Sequence, residues 1–224
     1  MQMFLGEFPM KPYKVSHVRD KESGFFLSSG RLLQSKAHYR SVMSFSAIGY
    51  LGPCGSFSEL ACENAAPETP RIPFTTFGDI CRALFSGIIE AAIYPIYNST
   101  IGWIAETQGF RACTEICELA RWRQRIELCL IGAIASELPK IKRVVSHRAA
   151  LEQSRNWIFA HHFSTQETTS TAAAMQLVLS DCTKMTGAIG SRRMALNNDA
   201  KILAVGIEDS NRNYTDFSIS RLLS

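Results

Sequence analysis

The sequence predicts an α/β fold of two similar lobes with a cleft between them. Short apolar runs, at residues 48–51, 91–96 and 202–206, alternate with segments of helical pattern. This alternation is typical of a mostly parallel sheet covered by helices. In each half of the chain, a strand leads into a helix that begins at a Ser or Thr, and this repeated plan favours two lobes of the same kind.

Turn and capping signals support the elements of the first half. Gly52 and Gly55 lie in a tight loop after the strand at 48–51, and Ser56 followed by Glu59 fits a capping box for a helix over 59–66. The next predicted elements are a strand at 71–75, a helix at 77–86 closed by Gly87, a buried strand at 91–96, a turn at 98–102 and a helix at 103–113.

The second half continues the alternation of strands and helices. Alanines carry a helical pattern over 172–179, and a short helix is expected at 192–196. The other predicted elements are strands at 125–133, 144–145, 187–189, 202–206 and 217–222, and a helix at 149–159. Residues 46–224 are therefore expected to form the folded, two-lobed unit.

Residues 1–45 are expected to be an N-terminal extension. Basic residues and serines are common between Lys21 and Arg40, a composition found in organelle transit peptides. A poorly ordered extension and a true start at Met43 are two plainer interpretations, and we favour them over targeting.

Composition argues against several classes of protein. The formal net charge is only +4, with short basic clusters at 121–125 and 192–193, so no nucleic-acid partner is expected. No apolar run approaches the ~18 residues of a membrane span. The seven cysteines include no CxxC pair, which is typical of reduced thiols in a cytosolic protein. A cytoplasmic protein is expected.

Polar residues at predicted helix starts are the candidate binding groups. Ser56, Ser146 and Thr171 each follow a short strand or turn and precede a helix. Helix starts carry free N–H groups and the positive end of the helix dipole, so several in one cleft make a site for carboxylates. Thr215 begins a strand after a polar turn. We predict that the helix starts hold a small anion and that Thr215 acts beside it.

Six sequence blocks, all in family order, resemble those of prephenate dehydratases. The family patterns are GPxGTFSE, PIENS, SHPQAL, STA, AIGS and NxTRF. Here they stand as GPCGSFSE at 52–59, PIYNS at 95–99, SHRAAL at 146–151, STA at 170–172, AIGS at 188–191 and NYTDF at 213–217.

The resemblance implies two α/β lobes like those of a type II periplasmic binding protein, with the active site in the cleft. It implies conversion of prephenate to phenylpyruvate, in phenylalanine biosynthesis, without metal or organic cofactor. Aromatisation drives this reaction, so the protein must mainly hold two carboxylates and help hydroxide leave. A homodimer is also expected from the family, and the ACT domain that binds phenylalanine in typical members is expected to be missing.

Individual roles follow from the matched motif positions. Thr215 is the expected catalytic residue, donating a hydrogen bond to the departing oxygen. The expected substrate-binding residues are Ser56, Asn98, Ser99, Ser146, His147, Thr171, Ala172 and Phe217, with Arg148 as an added cation.

Three departures from the family motifs leave alternatives open. Tyr97 replaces an acid, Arg148-Ala149 replaces Pro-Gln, and Asp216 replaces an Arg that would suit a carboxylate clamp. An Asp facing the substrate would repel it, and Arg148 would be the group to restore the charge. A prephenate decarboxylase and a non-catalytic ligand-binding paralogue are therefore kept beside the dehydratase. Whether the substrate is prephenate or arogenate stays undecided.

Overall fold

Residues 24–27 and 44–223 are described by a computed structural model, and they form two mixed β-sheets. The strands are β1 (Gly24–Leu27), β2 (Ile48–Leu51), β3 (Arg71–Phe74), β4 (Ala91–Asn98), β5 (Gly102–Trp103), β6 (Ile116–Arg125), β7 (Cys129–Gly132), β8 (Arg143–Ser146), β9 (Ser164–Glu167), β10 (Thr186–Gly190), β11 (Lys201–Val205) and β12 (Tyr214–Leu222). The helices are α1 (Phe57–Ala65), α2 (Phe77–Phe85), α3 (Gln108–Ala112), α4 (Arg148–Gln153), α5 (Arg155–Ala160), α6 (Thr171–Ser180) and α7 (Arg192–Asn197).

Each sheet belongs to one lobe. The first has the order β1-β6-β12-β4-β2-β3, with β5 beside β4, and the second has the order β11-β7-β10-β8-β9. Apolar clusters bury both faces of each sheet, with Ile48 and Ile80 on opposite sides of the first and Val144 and Val145 on opposite sides of the second. Two lobes with separate cores confirm the architecture predicted from the repeated strand–helix plan.

The prediction of mostly parallel sheets is wrong. Parallel pairing joins β2 to β3 and β4, and β8 to β9 and β10. The remaining neighbours are antiparallel, including both neighbours of β12. The reason is topological: the chain leaves the first lobe after β6 and returns as β12, which inserts between β6 and β4 in the opposite direction to both.

Two chain crossings connect the lobes and run side by side. The backbone N–H of Ile126 donates to the carbonyl of Asn213 at 2.9 Å, and the N–H of Gly206 donates to the carbonyl of Leu128 at 3.0 Å. The buried carboxylate of Glu208 accepts from the N–H of Leu128 at 2.8 Å. These bonds fasten the two crossings together at the base of the cleft.

Several element predictions are corrected by tertiary contacts. The segment expected to be a helix at 103–113 begins in β5, where Trp103 pairs with Tyr97 and their rings meet edge to face at 5.3 Å. The rest is a 3₁₀ turn at Ala105–Thr107 followed by the short α3. The strand expected at 125–133 is the end of β6 followed by β7. The sequence pattern misses most of β6 because its buried face includes the small Ala120 and the polar Gln124, which weakens the apolar alternation.

The N-terminal region lies mostly outside the described residues. Residues 1–23 and 28–43, where the extension and the targeting segment were expected, are not described, whereas β1 pairs antiparallel with β6. Phe45 packs in the first core, so the folded unit includes a residue assigned to the extension. Within the described residues, no helix has the length and apolar character that crossing a membrane requires.

Candidate active site

A cavity of about 380 Å³ lies between the lobes. The first lobe contributes the loop before α1 and residues of β4 and β12, including Ser56, Asn98, Thr215 and Phe217. The second lobe contributes the starts of α4, α6 and α7, including His147 and Thr171. Six of the ten residues expected at the site therefore meet in one cavity wall.

Four helix starts converge on this cavity, one more than predicted. Ser56 caps α1 by accepting from the N–H of Glu59 at 3.2 Å, and Ser170 caps α6 by accepting from Ala173 at 3.1 Å. His147 caps α4, and Ser191 caps α7 by accepting from Met194 at 3.0 Å. The caps of α4 and α6 are the residue after Ser146 and the residue before Thr171, and the convergence of polar helix starts is as expected from the sequence.

The loop before α1 is held by a buried tyrosine as well as by the cap. The hydroxyl of Tyr50 donates to Glu59 at 3.3 Å, and the other oxygen of Glu59 accepts from the N–H of Gly55 at 2.7 Å. Burial, followed by the neighbouring Cys54 and Glu59, raises the pKa of Tyr50 far above its usual value. Tyr50 therefore stays a protonated donor, and Glu59 is fixed beneath the loop.

Gly55 is required where this loop meets the second lobe. Its φ is +86°, and a Cβ placed there would lie 2.9 Å from the Cα of Met194 on α7. Ser191 donates its hydroxyl to the carbonyl of Gly55 at the same contact. The backbone of Gly55 in the first lobe lies directly against Ser191 and Met194 of the second lobe, so there is no room for a side chain at position 55.

Gly55→Ala should therefore lower stability by about 1–3 kcal/mol, from the left-handed backbone and the clash together. Thermal unfolding followed by circular dichroism measures the change. Gly109→Ala is the matched control, because no atom lies within 4 Å of a Cβ at Gly109 and alanine is favourable in a helix. Equal melting temperatures for the two variants would contradict the close-contact explanation.

Thr215 lies on the first-lobe wall with its hydroxyl oriented by a neighbour. Its Oγ1 accepts from Nδ2 of Asn98, directly opposite on β4, at 2.9 Å. Since an amide N–H can only donate, the hydroxyl proton of Thr215 is left to donate elsewhere. Thr215 is only 8% exposed and lines the cavity, so this proton can donate to a group that occupies the cavity.

A network of side-chain amides, formed by Gln153 and Asn213, holds Asn98 in place. Gln153 on α4 donates to Oδ1 of Asn98 at 3.3 Å and accepts from Nδ2 of Asn213 at 3.0 Å. Asn98 also donates to Oδ1 of Asn213 at 3.0 Å. The only sequence signal for Gln153 is its place two residues beyond the SHRAAL block. It links the second lobe to the strand pair that carries Thr215.

Gln153→Leu should lower kcat/KM about tenfold, because Asn98 and Thr215 lose their support from the second lobe. It should also lower the free energy of unfolding by about 1–3 kcal/mol, because the buried amide of Asn213 loses its acceptor on Gln153. Steady-state kinetics and thermal unfolding give the two effects separately. A lower melting temperature with unchanged kinetics would mean that Gln153 serves folding alone. Gln153→Glu, which keeps an acceptor for Asn213, should recover part of the stability.

Four of the expected substrate contacts are absent from the cavity wall. The hydroxyl of Ser146 is buried and donates to the carbonyl of Ile189 at 2.7 Å, and Ser99 donates to the carbonyl of Arg212 at 2.8 Å. Ala172 follows Thr171 but does not line the cavity. Arg148 forms an ion pair with Glu152 at 2.8 Å with 71% of its side chain exposed. The expectation that Arg148 restores a charge in the cleft is therefore wrong.

Asp216 faces away from the cavity, contrary to the expectation that it would repel the substrate. Thr215 and Phe217 line the cavity, and successive residues of a strand point to opposite faces. Asp216 accepts from Nε and Nη2 of Arg123 on β6 at 2.6 and 2.8 Å. On its other side, Asp216 is paired in register with Tyr97 on β4.

The two departures at positions 97 and 216 are therefore one local exchange. The family's acid and Arg would stand at directly paired positions of β4 and β12, where opposite charges are favourable. Here the acid is Asp216, and its cation comes from Arg123 on the other neighbouring strand. Asp216 therefore takes part in a cross-strand ion pair outside the cavity wall.

Fold and site together define a two-lobed α/β protein whose interlobe cavity is lined by four helix starts and by the oriented hydroxyl of Thr215. The family model for prephenate dehydratase matches residues 48–221. The chain belongs to the prephenate dehydratase family. The fold expected from the resemblance, two α/β lobes with an interlobe cleft, is confirmed.

Individual relatives agree with this assignment. The prephenate dehydratase of Methanocaldococcus jannaschii is 37% identical over 181 residues, covering 76% of this chain and 63% of that protein. A bifunctional N-acyl-homoserine lactone acylase/prephenate dehydratase of Komagataeibacter europaeus is 29% identical, and the match covers 77% of this chain and 62% of that protein. The crystal structure of an Arthrobacter aurescens prephenate dehydratase in complex with L-Phe matches with a TM-score of 0.72 and 26% identity. The match covers 81% of this chain and 61% of that chain. The chain spans about three fifths of the length of each.

Proposed function

We propose that this chain converts prephenate to phenylpyruvate, as a prephenate dehydratase of phenylalanine biosynthesis. Prephenate carries two carboxylates and, across its ring, one hydroxyl group. A cavity of about 380 Å³ with four helix starts in its walls supplies N–H groups and positive dipole ends for the carboxylates. The dehydratase names of the relatives described above support this substrate.

The observation that carries the proposal is the orientation of Thr215. As the ring carboxylate leaves as carbon dioxide, its bonding electrons move through the ring and expel the hydroxyl group as hydroxide. Negative charge develops on the departing oxygen, and a donor aimed at that charge lowers the barrier. The Thr215 hydroxyl, which accepts from Asn98 at 2.9 Å, is such a donor.

The roles of the other wall residues follow from their position. Ser56, His147 and Thr171 lie where helix starts meet the cavity, and the largely buried Phe217 forms an apolar part of the wall beside them. Each stays a prediction, as does the homodimer, which light scattering of the purified protein would test.

The direct test is incubation of the purified protein with prephenate at neutral pH, with products identified by mass spectrometry. A protein-free sample is the control, because prephenate aromatises spontaneously in acid. Phenylpyruvate above that control supports the dehydratase. A product that has lost carbon dioxide and kept its hydroxyl would identify a decarboxylase, an alternative to which the dehydratase names of these relatives give no support. Binding without turnover would identify a ligand-binding paralogue.

A further inference from the structure

The start of α7 contacts the first lobe through three residues that lie close together in sequence. Ser191 donates to the carbonyl of Gly55, and the backbone of Met194 lies against the same glycine. Between these two, Arg193 forms an ion pair with Glu63 on α1. Gly55, Ser191 and Met194 line the cavity, whereas Arg193 lies outside its wall. Arg193 therefore joins the two lobes without reaching the space that a ligand would occupy.

The ion pair of Arg193 extends to the carboxylate that holds the loop before α1. The buried Nε of Arg193 lies 3.6 Å from Oε2 of Glu59, and this oxygen accepts from the N–H of Gly55 at 2.7 Å. Glu59 and Glu63 are four residues apart, so they stand on one face of α1 and repel each other unless a cation lies between them. One guanidinium therefore attracts both carboxylates and connects α7 to the backbone of Gly55.

Contacts at both ends fix α1 in place. Toward its C-terminal end, Nδ2 of Asn64 donates to Oε1 of Gln124 on β6 at 3.0 Å, which holds this end within the first lobe. Near its start, the side chains that meet α7 are only partly exposed, 13% for Glu59 and 34% for Arg193. Solvent screens such a pair only in part. The position of the α1 start against the second lobe therefore depends on the side chain of Arg193.

We propose that Arg193 is a positioning residue, which aligns the start of α1 with the start of α7 in the cavity wall. The inference rests on the proposed function, because both helix starts are expected to hold carboxylates of the substrate. Their N–H groups bind a carboxylate well only at the correct distance and angle. Without the cation of Arg193, Glu59 is released from α7, and the loop that carries Gly55 loses part of its attachment to the second lobe.

The first test is steady-state kinetics with prephenate. Arg193→Gln removes the charge and should lower kcat/KM about 30-fold, mainly through a higher KM, because the misplaced N–H groups already bind the ground state. Arg193→Lys keeps a cation and should stay within about fivefold of the unaltered protein. Arg192→Gln is the matched control, because Arg192 pairs with Glu127 at 3.7 Å with both side chains exposed, and its kcat/KM should change less than about twofold.

The second test supplies the missing cation from solution. Arg193 also lines an open groove of about 630 Å³, so a small ion can reach the space that its side chain leaves in Arg193→Ala. Guanidinium at about 50 mM, well below denaturing concentrations, should raise kcat/KM of this variant at least about fivefold. Guanidinium weakens folded proteins in general. A purely stabilising role of Arg193 therefore predicts the opposite change.

The third test does not depend on turnover. Hydrogen exchange followed by mass spectrometry reports on the backbone N–H groups of residues 52–59, which include the N–H of Gly55 that donates to Glu59. Exchange in this segment should be about tenfold faster in Arg193→Gln than in the unaltered protein. Arg192→Gln should leave it unchanged, and so should Arg193→Gln in segments of the second lobe distant from α7.

The outcomes separate this inference from the proposed function. A kcat/KM that Arg193→Gln leaves unchanged overturns the positioning role while the dehydratase stands. So does a loss of rate that neither lysine nor guanidinium restores. Failure of the unaltered protein to turn over prephenate overturns the dehydratase, and hydrogen exchange then decides the role of Arg193. Exchange at residues 52–59 that is as slow in Arg193→Gln as in Arg192→Gln would overturn the inference under either result.

Discussion

Thr215→Val should lower kcat about 100-fold while KM changes little, because the lost hydrogen bond is made to an oxygen that becomes charged only as hydroxide leaves. Valine matches threonine in shape, so the cavity wall is preserved. The amide of Asn98 that donated to Thr215 also donates to Asn213 at 3.0 Å and to the carbonyl of Tyr214 at 3.1 Å. The stability cost should therefore be only about 1 kcal/mol.

Two further variants test whether the hydroxyl itself is responsible. Thr215→Ser keeps the donor and should retain kcat within about tenfold. Ser218→Ala removes a buried hydroxyl of the same strand that bonds to Ser220 at 2.8 Å and is not part of the cavity wall, so kcat should stay within about threefold. If Thr215→Val turns over prephenate as fast as Ser218→Ala, Thr215 has no place in the mechanism.

Asp216→Arg, the change that would recreate the family motif, should harm this protein. It would place two cations opposite each other on β12 and β6, where the structure has a bidentate Arg123–Asp216 pair with side chains 30% and 16% exposed. Solvent partly screens the pair, so we expect the free energy of unfolding to fall by about 2 kcal/mol and the melting temperature to fall by about 4–8 °C. No gain in substrate affinity is expected, because position 216 faces away from the cavity.

Exchanging both charges separates pairing from other effects of the substitution. Arg123→Asp combined with Asp216→Arg restores opposite charges and should recover most of the lost stability. Lys140→Glu is the matched control: it reverses a charge in the exposed pair with Glu137, whose side chains are 66% and 55% exposed, and should shift the melting temperature by less than about 2 °C. A single Asp216→Arg variant with higher affinity for prephenate would show that position 216 reaches the substrate after all.

Local signals predicted most of the second-lobe helices and the strands beside the cleft. Ser56 with Glu59 marks the start of α1 because capping depends on residues three apart in sequence. Apolar runs identify β2 and β4 because both faces of these strands are buried. The path of β6 was missed because its partner β12 is distant in sequence. The strand β5 was missed because Trp103 pairs across a turn with Tyr97, a contact that helical periodicity does not reveal.

The sequence by itself determined the family and the two-lobed α/β plan, because motif order and capping depend on residues close together along the chain. It also identified four residues that line the cavity, namely Thr215, Asn98, Ser56 and His147. Only the tertiary structure decided that Gln153 and Ser191 join the site, and that Arg148 stays outside it. It also decided that Asp216 pairs with Arg123 and does not face the cavity. Whether a strand residue faces a ligand or a neighbouring strand depends on register, and register is set by partners that the linear sequence does not name.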